Sequence, residues 1–548
     1  MSRRDLTHPV VPTLAAAVFG AIYLIAAPET ADMAGHTYRA WLWQQSGFAL
    51  WNAQWYGGHH VAGYSLLYPP LAAIAGTRLV GVVAAVAAVW LFARLSGRRA
   101  ATPAAGALAA WLFLAGVMSN VVIGRMPFTL GLALAVAAWV CARRSLWGAA
   151  ALSLLSVWSS PVCGVFLIVA AAAVLAGARP RGERPLRRAD WPTAAALGVP
   201  AIAGGLVMAA LFPEGGADHF VGSAFWPMLL VCLAALALVD PRRRIALWAG
   251  GLYLAVLVAA YAFPNSLGQN ALRPVAILGP ALLVLLARPR APRLAIAAVA
   301  VILLYLQWLP AVRAVEEARG DPSTAPAYHA DVLRFLDRHA KPGERLEVPL
   351  TRNHWEATYL ARSYPLARGW HRQLDRKVNP LFYAKARLTA SRYEDWLRDN
   401  AVRWVALPDA PLDFSAREER RLLLHGEPFL RLVHRSAHWR IWEVRDALPP
   451  VSGPARLTAA GADGFDLQAS RPGWVLVRQH GTPYWTVEGG DGCVMETSAG
   501  WTLVDVRRAG QIQVRARFSA LGALRREPSC RDLAPGAAHA DAPPVGGR

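Results

Sequence analysis

Five polar residues lie at the ends of hydrophobic segments, where they could take part in chemistry. Asp32 follows the first hydrophobic segment, with Glu29 just before it; Arg125 stands in SNVVIGRMPF, and Asn270 and Arg273 in PNSLGQNALRP. A carboxylate can deprotonate a hydroxyl group, and arginines can hold a phosphate and stabilise its charge as it leaves. These residue types predict transfer from a phosphate-linked donor, with Asp32 as the base, Arg125 and Arg273 on the phosphate, and Glu29 and Asn270 as further substrate contacts.

Each of these residues also has an ordinary structural explanation. An acid after a first span often caps a helix or lies at the membrane interface, and arginines there can mark the lipid headgroup region. The tryptophans between Asp32 and Pro70 are what an aromatic girdle requires. Both explanations remain open at this point.

Two other polar stretches are candidates for binding. His59 and His60, in WYGGHH, are expected to position the donor or the acceptor, or else to cap a turn; they have no identified third ligand. We therefore assign no cofactor, and a divalent metal stays possible. Residues 351–383, which include His354 and Trp355, mix aromatic and hydrogen-bonding side chains that suit sugar rings. The alternative is a packed surface between domains, and in either case we expect this stretch to face the first loop, Asp32–Pro70.

Composition indicates a membrane protein rather than a nucleic-acid-binding one. The chain is 55% hydrophobic and only 17% charged, yet its formal net charge is +21. Arginines cluster in alternate short loops, including 94–99, 179–188, 242–244 and 288–293. The opposite loops hold few, namely Arg39, Arg78, Arg125 and Arg273. This is the positive-inside asymmetry of a multi-pass protein of the plasma membrane, and no nucleic-acid partner is expected.

The hydrophobic pattern predicts a polytopic α-helical membrane domain over residues 1–310. Eleven segments are expected to be helical spans, and two of them, separated by Pro161, are short enough to form a hairpin near the outer leaflet. This count leaves the N-terminus cytoplasmic and places Asp32 and the C-terminal part outside. The segments are 10–27, 79–95, 103–123, 127–142, 148–159, 161–178, 193–212, 224–240, 245–263, 274–288 and 294–310.

The remainder has an ordinary soluble composition and is expected to be extracytoplasmic. Residues 311–445 read as an α/β unit, with helices at 327–340 and 391–400 and strands at 345–350 and 402–408. Residues 446–533 contain short strands divided by Gly, Pro and Asp, which predicts a small β-sandwich, and 534–548 read as a disordered tail. A disulfide between Cys493 and Cys530 is allowed if this part is outside the cell.

The layout resembles the GT-C superfamily of membrane glycosyltransferases. The resemblance covers the architecture of the chain and, locally, Asp32 and the following ALWNAQWYGGHHVAGYSLLYPPL. It implies a polyprenyl-phosphate sugar donor, a cell-envelope glycan or glycolipid as acceptor, inversion at the sugar, membrane lipids as surroundings, and Asp32 as catalytic base. GT-C proteins often carry adjacent acids in this loop, whereas Glu29 and Asp32 are not adjacent.

Two other classes of protein are alternatives. A non-catalytic GT-C-like scaffold for cell-envelope assembly would keep the architecture and bind through its soluble part. A lipid or polysaccharide transporter would favour ionisable residues at mid-membrane and repeated halves. Neither feature of a transporter is evident in the sequence.

Overall fold

A computed structural model describes residues 10–177, 190–384, 386–519 and 530, which form two compact units. The helical unit comprises residues 10–33, the described residues of Tyr64–Ala209, and Gly216–Arg319. The mixed unit comprises Ala34–Gly63, Ala210–Gly215 and the described residues from Gly320 onward. Residues 34–63 thus belong with the C-terminal part rather than with the N-terminal domain 1–310 in which the sequence placed them. The predicted tail 534–548 and the arginines at 179–188 lie outside the described residues.

Every predicted hydrophobic segment forms a helix. The helices, numbered in chain order, are α1 Val10–Ala26, α2 Ala31–Ser46, α3 Tyr68–Ala75, α4 Thr77–Arg99, α5 Pro103–Ile123, α6 Met126–Cys141, α7 Leu146–Ser159, α8 Pro161–Gly177, α9 Asp190–Leu211, α10 Gly222–Leu238, α11 Arg244–Ala262, α12 Arg273–Leu286 and α13 Arg293–Ala318.

Six helices within the described ranges are long and apolar enough to cross a membrane, or up to seven if the bent pair α1 and α2 counts as one span. The six are α4, α5, α9, α11, α12 together with the turn that precedes it, and α13. Helices α6, α7, α8 and α10 are apolar but shorter. These helices are compatible with a multi-pass membrane protein, while the count of eleven spans and their orientation remain predictions.

Small residues and serine hydroxyls join the helices of the helical unit. The Ser156 hydroxyl of α7 donates to the Gly131 carbonyl of α6 at 2.7 Å, and the Ser159 hydroxyl donates to the Pro127 carbonyl at 2.8 Å. A Cβ at Gly131 would lie 2.8 Å from the Cys163 sulfur of α8. In a membrane the lipid tails are as apolar as the helices, so the hydrophobic effect does not drive helix association. Helices associate there through close backbone approach and interhelical hydrogen bonds.

The α/β part of the mixed unit forms around one four-stranded sheet. The short strands β1 Trp51–Asn52 and β2 His59–His60 pair with each other. The strands of the four-stranded sheet, β3 Arg345–Glu347, β4 Val402–Pro408, β5 Leu430–Arg435 and β6 Trp439–Val444, lie in the order β3-β4-β6-β5, with only the β3–β4 pair parallel. The helices are α14 Ala330–His339, α15 Glu356–Tyr359, α16 Arg372–Val378, α17 Ala390–Asp399 and α18 Arg417–His425. The predicted strands near 345 and 402, and the helices near 330 and 391, are confirmed. Helix α13 continues through Pro310 to Ala318, so the division between units falls after residue 310.

The C-terminal part is rich in strands, as expected, and forms two four-stranded antiparallel sheets. The strands are β7 Val451–Ser452, β8 Ala455–Ala460, β9 Gly464–Ala469, β10 Gly473–His480, β11 Trp485–Gly489, β12 Gly492–Glu496, β13 Trp501–Val506 and β14 Gly510–Ala516. Their orders in the two sheets are β12-β13-β10-β7 and β11-β14-β9-β8. The Trp485 indole N–H of one sheet donates to the Thr502 hydroxyl of the other at 3.1 Å. Cys493 forms a disulfide with Cys530, a pairing that the sequence allowed without deciding it.

A buried charge cluster lies in the core of the α/β part. The Arg368 guanidinium pairs with Asp375 at 2.6 Å and with Glu419 at 3.6 Å, and Glu347 lies beside them. All four side chains are at most 1% exposed. Because three carboxyl groups share one guanidinium away from water, full ionisation is unfavourable. Burial raises the pKa of Glu419 to about 7 and the pKa of Glu347 well above its usual value.

This cluster predicts that the mixed unit loses stability as the pH rises. A carboxyl group with a raised pKa keeps its proton in the folded chain and loses it in the unfolded chain, so stability is greatest below the unfolded pKa near 4.5 and falls as the pH passes 7. Glu347→Gln mimics the protonated form. We expect its thermal unfolding midpoint, measured relative to that of the wild type, to rise as the pH increases from 5 to 9. The measurement is thermal unfolding followed by tryptophan fluorescence of the full chain.

The matched control is Glu418→Gln, on the same helix as Glu419 but 48% exposed. Its midpoint should follow that of the wild type at every pH. A constant difference between Glu347→Gln and the wild type across this range would contradict the account of the cluster.

Candidate functional site

Asp32 and Arg125 form an ion pair in the helical unit. Asp32 lies in the first turn of α2, and Arg125 lies in the connection between α5 and α6. The Asp32 Oδ2 and Arg125 Nε atoms are 3.6 Å apart, and the two side chains are 31% and 29% exposed. An acid and a cation that are distant in sequence therefore meet at a place where both can still reach a ligand.

The turn at Gly124 positions Arg125. Gly124 has a left-handed φ of 96° at the end of α5, and a Cβ there would lie 2.9 Å from both the Met33 Cγ and the Thr30 Oγ1 atoms. Only glycine fits both the conformation and the space. The Thr30 hydroxyl also donates to the Ile123 carbonyl at 2.8 Å, so the residues just before Asp32 are tied to the end of α5.

The backbone of Arg125 is fixed independently of its side chain. The Asn120 side-chain amide and the Thr129 hydroxyl both donate to the Arg125 carbonyl, at 3.3 and 3.1 Å. The Asn120 amide also donates to the Thr129 hydroxyl at 2.7 Å. A substitution of the Arg125 side chain would thus leave these hydrogen bonds of the turn in place.

Arg273 is a second cation at the same place. It opens α12, and its guanidinium carbon lies 5.2 Å from the ring centre of Phe128 in α6. The pKa of the Arg125 guanidinium is lowered to about 10, first by its removal from water and then by the positive charge of Arg273. Arg125 is therefore still cationic at neutral pH. The Arg273 Nε atom is buried and has no hydrogen-bond partner within the described part of the chain.

Helix ends add to the positive potential of this site. Asp32 lies in the first turn of α2, Arg125 precedes α6, and Arg273 is the first residue of α12. Each helix N-terminus carries partial positive charge on unpaired N–H groups, which favours a bound anion. With one carboxylate opposing two guanidinium groups, the arrangement can take a further anion such as a phosphate.

Asn270 and Glu29 have supporting contacts. The Asn270 carbonyl accepts the backbone N–H of Arg273 at the start of α12. Glu29 pairs with Arg78 of α4 at 2.7 Å, and the same guanidinium donates to the Ala27 and Pro28 carbonyls at 3.2 and 3.3 Å. Three contacts thus clamp the connection between α1 and α2, whose axes are bent by 81°. The substrate-binding role of Glu29 and Asn270 stays a prediction.

His59 and His60 belong to the mixed unit, where they are buried. The Asn52 amide donates to His59 Nε2 at 3.0 Å, His59 Nδ1 donates to the His60 carbonyl at 3.0 Å, and the His59 ring stacks on Trp55. His60 Nδ1 lies 3.0 Å from the Glu214 carboxylate. Both rings therefore have partners inside this unit, as expected of packing residues.

Residues 351–383 pack on the first loop, which confirms the expectation that the two face each other. The Trp55 indole N–H donates to the Ala357 carbonyl at 2.9 Å, and the Thr358 hydroxyl donates to the Ala34 carbonyl at 2.8 Å. His354 and Trp355 are 5% and 1% exposed, and burial lowers the pKa of His354 to about 4. Because the faces of both rings are covered, these contacts favour the packed surface over stacking of a sugar on His354 or Trp355.

Two residues of the site, Thr30 and Arg78, were not predicted from the sequence. Thr30 looked like an ordinary residue before a helix, and nothing in the sequence pointed to its bond with the end of α5. Arg78 was one of the few arginines in the Arg-poor loops, so the same scarcity that pointed to Arg125 and Arg273 could have identified it.

The described residues contain no cluster suited to a metal ion, and comparison with known proteins identifies no family. Among the residues that the structure describes, no group of three or more His, Cys, Asp or Glu side chains is placed to hold a metal ion. No protein-family model matches the sequence, and none of the curated proteins is significantly similar to it.

The clamp on the connection between α1 and α2 predicts a local effect of Arg78. Arg78→Ala removes all three contacts to Ala27, Pro28 and Glu29, which share one guanidinium nitrogen and together contribute roughly 1.5–3 kcal/mol. We expect faster amide hydrogen exchange in residues 28–33, measured by mass spectrometry. Arg94→Ala, on the exposed side of the same helix, is the control. Equal exchange in the two variants would show that the clamp does not hold this connection.

Proposed function

We propose that this protein is a membrane glycosyltransferase of the GT-C type. It would transfer a sugar from a polyprenyl-phosphate donor to a hydroxyl of a cell-envelope glycan or glycolipid outside the cell, with inversion at the sugar. The observation that carries the proposal is the meeting of Asp32, Arg125 and Arg273 at three helix N-termini. Residues from three distant parts of the sequence supply the base and the phosphate contacts that this reaction needs.

In the proposed mechanism Asp32 is the general base. Its carboxylate takes the proton of the acceptor hydroxyl as the acceptor oxygen forms a bond to the anomeric carbon of the sugar. The bond between that carbon and the donor phosphate breaks, and its electron pair remains on the phosphate oxygen. A single displacement inverts the anomeric configuration. Arg125 and Arg273 stabilise the charge that develops on the leaving phosphate.

Charge balance supports a donor linked through one phosphate. Two guanidinium groups and one carboxylate leave the site with one positive charge in excess, and a sugar phosphodiester carries one negative charge. A diphosphate-linked donor would bring additional negative charge beside Asp32. The site is therefore close to neutral only with a monophosphate-linked donor.

The orientation that goes with this function has the N-terminus in the cytoplasm and the mixed unit outside, with eleven helices in the membrane domain. The disulfide between Cys493 and Cys530 supports this orientation, because disulfides persist in oxidising compartments and are rare in the cytosol. No metal is assigned to the reaction.

Asp32→Asn is the direct test of the proposed base. Asparagine keeps the size of the side chain and cannot accept the proton, so transfer from a polyprenyl-phosphate sugar should fall by about 10²–10⁴-fold. The measurement is transfer by the purified protein in lipid, with and without a divalent cation. Asp240→Asn, the same chemical change in a distant loop, should retain full activity. Undiminished turnover of Asp32→Asn would overturn the assignment.

The disulfide tests the orientation. In Cys493→Ser the Cys530 thiol becomes free, and a membrane-impermeant maleimide should label it in intact cells. In the wild-type protein the thiol should stay unlabelled until a reductant is added. Labelling of Cys493→Ser only after the membrane is permeabilised would place the mixed unit on the cytoplasmic side.

A further inference from the structure

The two arginines of the site have unequal partners. Arg125 lies against the Asp32 carboxylate, whereas Arg273 rests on the Phe128 ring and makes no ion pair with any acid in the described ranges. Before a ligand binds, the charge of Arg125 is thus partly balanced and that of Arg273 is not. Two cations of the same type at one site therefore start from different electrostatic states.

We propose that the two arginines act at different stages of the reaction. Arg273 holds the phosphate of the bound donor, and Arg125 exchanges Asp32 for the leaving phosphate while the sugar is transferred. This inference rests on the proposed function and assigns separate roles to two residues that the sequence treated as equivalent.

The charges of the reaction require such an exchange. Before transfer, the donor phosphodiester and Asp32 carry one negative charge each, opposite two guanidinium groups. When Asp32 takes the acceptor proton it becomes neutral, and the polyprenyl phosphate that leaves gains the second negative charge. The total stays at zero, but one negative charge has moved from Asp32 to the phosphate. The Arg125 guanidinium, which faced the Asp32 carboxylate, can then stabilise the new negative charge on the phosphate.

The geometry allows Arg125 to change partner at small cost. Its Nε atom is 3.6 Å from the Asp32 oxygen, which is longer than a hydrogen bond, and Nε has no hydrogen-bond partner among the described residues. The side chain is 29% exposed, while the backbone is fixed by the bonds from Asn120 and Thr129 to its carbonyl. The guanidinium can therefore move without disturbing the turn.

Different stages give different kinetic signatures. An interaction made only in the transition state raises kcat, whereas one made equally with the bound donor and in the transition state lowers KM. Arg125 belongs to the first class because its charge is taken by Asp32 until the proton moves. Arg273 belongs to the second because its charge is available to the donor from the start.

The experiment compares Arg125→Gln with Arg273→Gln in the full-length protein, using a polyprenyl-phosphate sugar donor. Arg125→Gln should lower kcat by about 100-fold with little change in the KM for the donor. Arg273→Gln should raise that KM by about tenfold with a much smaller effect on kcat. Arg125→Lys restores the charge and should recover a large part of the lost kcat. Arg94→Gln, an exposed arginine that stacks on Trp90, should change neither constant.

Two further measurements, lipid binding and turnover by the wild type, distinguish a folding defect from a loss of function. Binding of the intact polyprenyl-phosphate sugar donor in the absence of acceptor should weaken more in Arg273→Gln than in Arg125→Gln, and binding by Arg125→Gln shows that this variant is folded. If the wild type turns over but both arginine variants change the same kinetic constant, the division of roles is wrong and the proposed function stands. If the wild type binds the lipid but transfers no sugar, the proposed function fails and this inference fails with it.

Discussion

The ion pair between Asp32 and Arg125 is the interaction on which the candidate site depends. It exists because two tight connections are held against each other: the bend between α1 and α2, and the left-handed turn at Gly124. The Thr30 hydroxyl joins them through the Ile123 carbonyl, and Arg78 holds the other side of the bend. A larger residue at Gly124 would push Thr30 and Met33 away, and the carboxylate with them.

The polar side chains of the mixed unit are stabilised in a different way from those of the candidate site. A set of this unit's polar residues is buried and stabilised by pairing rather than by water, as in the cluster of Glu347, Asp375 and Glu419 around Arg368. Residues 34–63 of the first loop are part of this interior: the Trp55 indole donates to the Ala357 carbonyl, and the His59 ring stacks on Trp55. A segment that looked like a binding surface because of its composition is thus largely a folded core.

The sequence predicted the helices well because apolar runs broken by proline and arginine determine them, and it predicted the strands near 345 and 402 from their patterns. It also brought Asp32, Arg125 and Arg273 together through the alternation of arginine-rich loops. It could not separate a buried histidine from a ligand-binding one, because His59 and His60 acquire their partners Asn52 and Glu214 only through folding. Nor could it show that Glu29 pairs with Arg78, since this contact depends on how α4 meets the bend.

The central claim is that Arg125 and Arg273 form a phosphate site beside a carboxylate base. The most direct measurement is a cryo-EM structure of the full-length protein in lipid with polyprenyl monophosphate bound. The account predicts phosphate oxygens within hydrogen-bond distance of both guanidinium groups, with Asp32 displaced from Arg125. A phosphate bound elsewhere, with the Asp32–Arg125 pair intact and Arg273 unoccupied, would contradict it.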